Sequence, residues 1–231
     1  MDNQLFIEEM INLLNNKISQ LSPAESLKLL FELENKIYQI QGRESIRYGN
    51  GIHTKHKHIK YHDFFTENIK SGSKVLDIGC GNGSLTYDIG SKVEKSIVFG
   101  IDLVQSNIDF ALTNFKRENI TYVCGDALND LPDMRFNVIV MSNVLEHIEK
   151  RIVFLKQLKS RYKPNKILLR VPIYERDWRV PLKDELNVDY RLDSTHFIEY
   201  KQEEFWNELS ESGLTTIKHH IKWGEIWAEV K

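Results

Sequence analysis

The sequence predicts an α/β chain: a parallel sheet covered on both faces, with a helical extension ahead of it. Three observations carry the prediction. Apolar runs of strand length alternate with helical patterns from Val75 onward, the signature of strands joined by crossover helices. The first run, Val75-Leu76-Asp77-Ile78, passes directly into Gly79-Cys80-Gly81-Asn82-Gly83-Ser84, a strand followed by a glycine turn and a helix start. Ahead of it lie two stretches whose apolar residues recur with helical period. Composition sets the outer bounds. With 231 residues, 41% hydrophobic, 28% charged and a net charge of −2, the chain suits one well-cored domain with an appendage and has no general attraction for nucleic acid or membrane. The absence of a long apolar run and the acidic start Asp2-Asn3-Gln4 lead to the expectation of a cytoplasmic protein with no membrane partner. Cys80 and Cys124, the two cysteines, are too few for a disulfide framework and read as packing residues.

Taken in order, Ile7, Ile11, Leu14 and Ile18 mark one face of a first helix. Ser22-Pro23-Ala24-Glu25 has the capping serine, N1 proline and returning glutamate of a helix start. Leu30, Leu33, Ile37 and Ile40 then form the stripe of this second helix up to Gly42. Residues 1–42 are thus expected to be a helical extension, acting as a cover, a homodimer contact or a lid. Residues 43–73 form a basic connecting segment. Within 43–62, Arg43, Arg47, Lys55, Lys57 and Lys60 oppose only Glu44, and His53, His56, His58 and His62 cluster with them. The segment reads either as a solvated connector or as a rim that attracts an anionic acceptor. His58 and His62 share a helix face, but no acidic or cysteine partner supports a metal between them.

The glycine turn carries the chemistry. Gly79, Gly81 and Gly83 let a ligand approach the backbone, and Ser84 is expected to cap the helix whose free N–H groups face the turn. The spacing departs from the dinucleotide G-x-G-x-x-G pattern. Asp77 beside the turn would repel a pyrophosphate and suits a ligand bearing an ammonium and a sulfonium. The second strand, Ser96–Asp102, ends in an acid 19 residues beyond Gly83, where a ribose-binding carboxylate belongs. The third, Ile120–Asp126, ends in another. Phe136–Met141 and Lys166–Val171 are the fourth and fifth strands, and Thr215–Lys222 and Glu225–Lys231, joined at Trp223-Gly224, read as a closing hairpin.

These motifs resemble the cofactor site of class I S-adenosylmethionine (SAM)-dependent methyltransferases, over 74–231. The resemblance implies a Rossmann-like seven-stranded methyltransferase sheet with an antiparallel last strand. It also implies SAM as cofactor, leaving as S-adenosylhomocysteine. Asp77, Gly79, Cys80, Gly81, Asn82 and Gly83 would hold its methionine portion, Asp102 and Leu103 its ribose and adenine, Asp126 and Ala127 its adenine edge, and Ser142 and Asn143 the end of the fourth strand.

An irregular insertion, 172–200, leaves the fifth strand on the cofactor side, and its Arg176, Trp178, Arg179, Tyr190 and Arg191 are the expected acceptor-binding residues. A hydroxyl acceptor also needs a base. His196, beside Asp193 and Thr195 that could fix its tautomer, is expected to serve, ahead of His147, on opposite walls of the cleft. Glu146, His147 and His196 partly resemble a metal-binding pattern of small-RNA terminal and some quinone methyltransferases, which carry Glu where this chain has Asn143. That departure counts against a metal, and none is assigned. The expected function is methyl transfer to a hydroxyl of a small, polar, anionic acceptor, similar to that of small-molecule O-methyltransferases of surface-polysaccharide and secondary-metabolite pathways. A nucleic-acid methyltransferase and a non-catalytic SAM-binding protein are the alternatives. Against nucleic acid stand the near-neutral charge and Ser142-Asn143-Val144 in place of a proline-rich Asp/Asn-Pro-Pro-aromatic turn.

Overall fold

A computed structural model describes residues 2–131 and 133–231. They form two compact units, one comprising the chain up to Thr54 with Trp178–Tyr190, the other Lys55–Asp177 with Arg191–Lys231. The compact units therefore do not divide after residues 42 and 73, and the middle of the 172–200 insertion groups with the helical extension.

In the first unit, α1 spans Asn3–Ile18 and α2 spans Pro23–Tyr48. The capping box forms as expected: Glu25 N–H donates to Ser22 Oγ at 3.3 Å, and Ser22 N–H donates to Glu25 Oε2 at 2.9 Å. The second helix continues past Gly42. One glycine costs a helix only about 1 kcal/mol, and the next turn carries the Glu44–Arg47 pair at 2.8 Å. The helix of Arg179–Glu185, α8, is held to α2 by ions: Glu34 takes both Arg179 and, at 2.8 Å, Lys183. Asn35 accepts from Lys183 at 3.0 Å and donates to the Asp189 carbonyl at 2.9 Å.

The second unit is a seven-stranded sheet in the order β3-β2-β1-β4-β5-β7-β6. Its strands are β1 Lys74–Ile78, β2 Ile97–Asp102, β3 Ile120–Cys124, β4 Val138–Ser142, β5 Lys166–Pro172, β6 Thr216–Lys222 and β7 Glu225–Val230. The first five are parallel, and β7 runs antiparallel to both its neighbours. This is the architecture the resemblance implied. Trp223 and Gly224, at φ 57° and 73°, make the tight hairpin turn that right-twisted strands favour. Alternate residues feed two cores: Leu76, Ile139 and Leu169 on one face, Val75, Val140 and Leu168 on the other. Burial on both faces explains why these strands read as continuous apolar runs.

Crossover helices α5 (Ser84–Lys92), α6 (Gln105–Asn114) and α7 (Arg151–Tyr162) connect the parallel strands, and α9 (Gln202–Glu211) precedes β6. The basic segment is not a solvated connector throughout. Its end forms α3 (Lys55–Ile59) and α4 (Tyr61–Glu67), and α4 buries Tyr61, His62, Phe64 and Phe65, with Phe64 packing on Trp227. No helix among the described residues is long and apolar enough to cross a membrane. Strand order reverses between β1 and β4, so their carboxyl ends open the crevice in which such sheets bind ligands.

Candidate functional site

The first wall of that crevice is the glycine turn. Gly79 and Gly81 stand at φ 66° and 53°. A Cβ on Gly79 would meet Val144 Cγ2 at 2.6 Å, whereas one on Gly81 would meet nothing within 4 Å. Gly79 thus lets β1 pack against the loop after β4, and Gly81 presents bare backbone to open space. Asp77 is buried and accepts from Thr86 Oγ1 at 2.6 Å. Burial, and then the charge of Asp102, push its carboxyl up to about 7 against the pull of that hydrogen bond. Helix α5 is not capped by Ser84. Gly83 is its N-cap, and Asn82 Oδ1 accepts the Ser84 N–H at 3.2 Å.

Asp102 closes the turn on β2: Oδ2 accepts from Gly81 N–H at 2.8 Å, and Oδ1 accepts from Val104 N–H at 2.9 Å and Asn107 at 3.1 Å. Asp126 does the same for the loop after β3, its Oδ1 accepting from Leu128 N–H and Asn129, each at 2.8 Å. Leu103 is exposed, Ala127 and Cys80 are buried, and Ser142 Oγ accepts from Arg170 at 3.1 Å.

The second wall follows β4. Asn143 takes a left-handed φ of 56° and donates its N–H to the Arg170 carbonyl at 2.8 Å, turning the chain into a single 3-10 turn, Leu145–His147. Glu146 is fully buried, and neither carboxylate oxygen has a hydrogen-bond partner; Asn143 Oδ1 is likewise buried and unpartnered. One ligand atom each of Glu146, His147 and His196 lies within 4.8 Å of the others, and the two imidazoles meet edge to face at 4.5 Å. They do not stand on opposite walls of the cleft.

Their outer partners differ from the expected ones. Thr195 Oγ1 donates to Asp193 Oδ1 at 2.7 Å, so it accepts from His147 Nδ1 at 2.9 Å. Glu199 Oε1 takes His196 Nδ1 at 2.8 Å and Leu192 N–H at 2.7 Å, while Oε2 takes Arg176 at 2.6 Å. Asp193 and Thr195 therefore orient His147, and the buried Glu199 orients His196. Both Nε2 atoms are left with their lone pairs. The Phe197 N–H donates to the Glu146 carbonyl at 2.8 Å and ties the two loops together.

Burial pushes the Glu146 carboxyl up to about 8, with Arg170 opposing and Glu199 adding to the rise. The His147 imidazole is held down by burial and then by His196. The two buried Glu146 oxygens without donors, beside two imidazoles whose Nδ1 positions are occupied, form a donor set that fits a divalent cation.

The sequence reading missed the groups behind this wall. Arg170, on β5, is buried, bonds Glu225 through two nitrogens and lies 3.8 Å over the Tyr61 ring. Lys55 lies in the field of Arg170, Glu225 and Glu146, and burial holds its ammonium below the usual lysine range. The five expected acceptor residues do not form one set. Arg176 and Arg191 belong to the sheet unit, where Arg176 pairs with Glu199 and Arg191 donates to the His196 carbonyl at 3.2 Å. Trp178, Arg179 and Tyr190 belong to the helical unit, where Arg179 pairs with Glu34.

A family model described as the methyltransferase domain matches residues 52–219. A ubiquinone biosynthesis O-methyltransferase of Bradyrhizobium diazoefficiens is 33% identical over 122 residues, 50% of this chain and 47% of that protein. A pavine N-methyltransferase of Thalictrum flavum is 28% identical over 95 residues, 40% of this chain and 27% of that protein. The chain thus spans about half or less of the curated relatives it matches. Among solved structures, a SAM-dependent methyltransferase from Clostridium acetobutylicum superposes with a TM-score of 0.58 at 17% identity, covering 80% of this chain and 98% of that one. The chain belongs to the methyltransferase-domain family, and the domain it carries is a SAM-dependent methyltransferase.

Proposed function

We propose that this domain moves the methyl group of SAM to a hydroxyl of a small acceptor that carries a second oxygen donor beside it, with both oxygens presented at a divalent-cation site made by Glu146, His147 and His196. One observation carries the reading: a fully buried glutamate whose two oxygens lack any donor stands beside two imidazoles with oriented Nδ1 atoms. A cation bound there would acidify an acceptor hydroxyl and fix its place. The chain's own residues supply the rest. In this reading Gly81 admits the methionine portion of SAM, Asp77 faces its ammonium group, Asp102 and Asp126 take the ribose and adenine, and Leu103 lies against the base. Ser142 and Asn143 line the passage between cofactor and acceptor. Alignment of an acceptor lone pair behind the methyl group supplies much of the rate of such a displacement.

An anionic acceptor has less support than the sequence suggested, because Arg176 and Arg179 already neutralise Glu199 and Glu34. The curated relatives include both O- and N-methyltransferases, so the choice of an oxygen acceptor rests on the cation-site geometry. The test offers labelled SAM to the full chain with an aromatic vicinal diol, a monohydroxy analogue and a tertiary amine, with and without added divalent ion. Transfer to the diol alone, and only with the ion, is expected. Transfer to the amine, or equal transfer to both hydroxyl compounds without an ion, would overturn the proposal.

A further inference from the structure

We propose that the cavity between α4 and the β6–β7 edge of the sheet is a second ligand site, for a small zwitterion with an apolar body, of the amino-acid type. The inference is independent of the cation-site reading, because the cavity lies at the β6 edge whereas the cofactor crevice opens between β1 and β4. Its volume is about 370 Å3, in the range of small-molecule pockets. The floor is aromatic. Phe64 of α4 and Trp227 of β7 stand 5.7 Å apart, and the Trp227 indole N–H already donates to Glu225 Oε2 at 2.9 Å.

Two charged rows border that floor. Asp63 and Glu67 are one helical turn apart on α4, and Lys218 and Lys222 lie on one face of β6. The strand register explains why the lysines are uncompensated. Their cross-strand neighbours on β7 are Glu229 and Glu225, but β5 takes both: Lys166 pairs with Glu229 at 3.1 Å, and Arg170 pairs with Glu225. Among the described residues, the Lys218, Lys222 and Glu67 side chains have no ion-pair partner, and Asp63 has Lys92 alone, at 3.7 Å. Opposite charges that line one cavity without closing it suit a molecule that carries both signs. The anionic end of the ligand meets Lys218 and Lys222, its ammonium group meets Glu67 and Asp63, and its apolar body covers Phe64 and Trp227. Lys222 is already placed for this, with Nζ 4.0 Å from the Trp227 ring centre, a cation–π contact that limits the freedom of the lysine. A ligand of a single charge would answer only one of the two rows.

The test follows the backbone amide signals of α4 and β6 in the isotope-labelled full chain as L-phenylalanine, phenylacetate or phenethylamine is added to about 10 mM, a range that captures weak binding. L-phenylalanine carries both charges and the other two carry one each. It should shift the amides of both elements and bind at least about fivefold more tightly than either single-charge probe. Lys218→Gln should weaken L-phenylalanine and phenylacetate by about threefold or more and leave phenethylamine unchanged, whereas Glu67→Gln should weaken L-phenylalanine and phenethylamine and leave phenylacetate unchanged. Both residues are exposed, so neither variant puts the fold at stake. Absence of any shift in α4 and β6 with all three probes would overturn the site. Equal affinity for the three probes, or wild-type affinity for L-phenylalanine in either variant, would overturn the assignment of a zwitterion to it.

Discussion

Replacing Asp77 by asparagine tests the electrostatics of the cofactor wall. The carboxyl is fully buried and raised from 3.8 to about 7, chiefly by burial. In strong acid the folded and unfolded chains both hold this proton; between about pH 4 and 7 only the folded chain does; above about 7 neither does. Where the folded state binds the extra proton, stability falls as pH rises. The ligand-free protein should therefore lose roughly 4 kcal/mol across that window through this one group. On the proposed placement of the SAM ammonium beside Asp77, binding reverses the sign by favouring the ionised carboxylate, so SAM affinity should rise with pH toward about 7 and then level off. Asparagine keeps an oxygen for the Thr86 hydroxyl but cannot ionise. Urea unfolding from pH 4 to 8, followed on both proteins without ligand, isolates the effect as a difference in slope, and calorimetry with SAM at the same pH values reads the affinity. Parallel stability curves for wild type and Asp77→Asn, or SAM binding that is equally strong and equally pH-independent in both, would refute the reasoning.

Three further outcomes follow from the same geometry. Gly79→Ala should destabilise more than Gly81→Ala, since its Cβ would strike Val144 while the other enters open space; thermal melting checks the order, and Gly81→Ala should be the one that weakens SAM binding relative to its stability. Glu199→Gln removes the charge that Arg176 pairs with at 2.6 Å, and losing one side of a largely buried pair costs about 3–5 kcal/mol; it should also loosen the orientation of His196, read as weaker Co2+ binding, and unchanged Co2+ binding would assign Glu199 to folding alone. Asp102→Ala should weaken SAM by roughly 1.5–3 kcal/mol for each charge-assisted hydrogen bond lost. Because Asp102 also anchors the Gly81 N–H, it should lower the melting temperature of the ligand-free protein as well.

The sheet was legible because its central strands β1, β4 and β5 are buried on both faces and so announce themselves as apolar runs, and because Asp77, the glycines and Asp102 are close in sequence or one crossover apart. The hairpin was legible from Trp223-Gly224. Helix α2 runs past Gly42, where the sequence suggests an end, because a glycine inside a helix costs too little to stop it. The histidine cluster was legible only as separate residues. His147 and His196 come together because Phe197 pairs with the Glu146 carbonyl, a long-range bond that no local pattern encodes. The same reason hid Glu199 as the partner of His196, since Asp193 and Thr195 are nearer in sequence but lie against the other histidine. Arg179 looked like a ligand because its counter-ion Glu34 is distant in the chain. Asn143, read as a departure from a carboxylate, carries a buried oxygen without a hydrogen-bond donor.

The measurement that bears most directly on the proposed function compares Glu146→Gln with wild type in two readouts, SAM affinity and labelled-methyl transfer to an aromatic diol with a divalent ion present. The substitution preserves shape and removes the charge that would hold the ion. The account predicts SAM affinity within about twofold of wild type and transfer reduced by roughly 100-fold or more. Transfer at the wild-type rate in a variant that still binds SAM would contradict it.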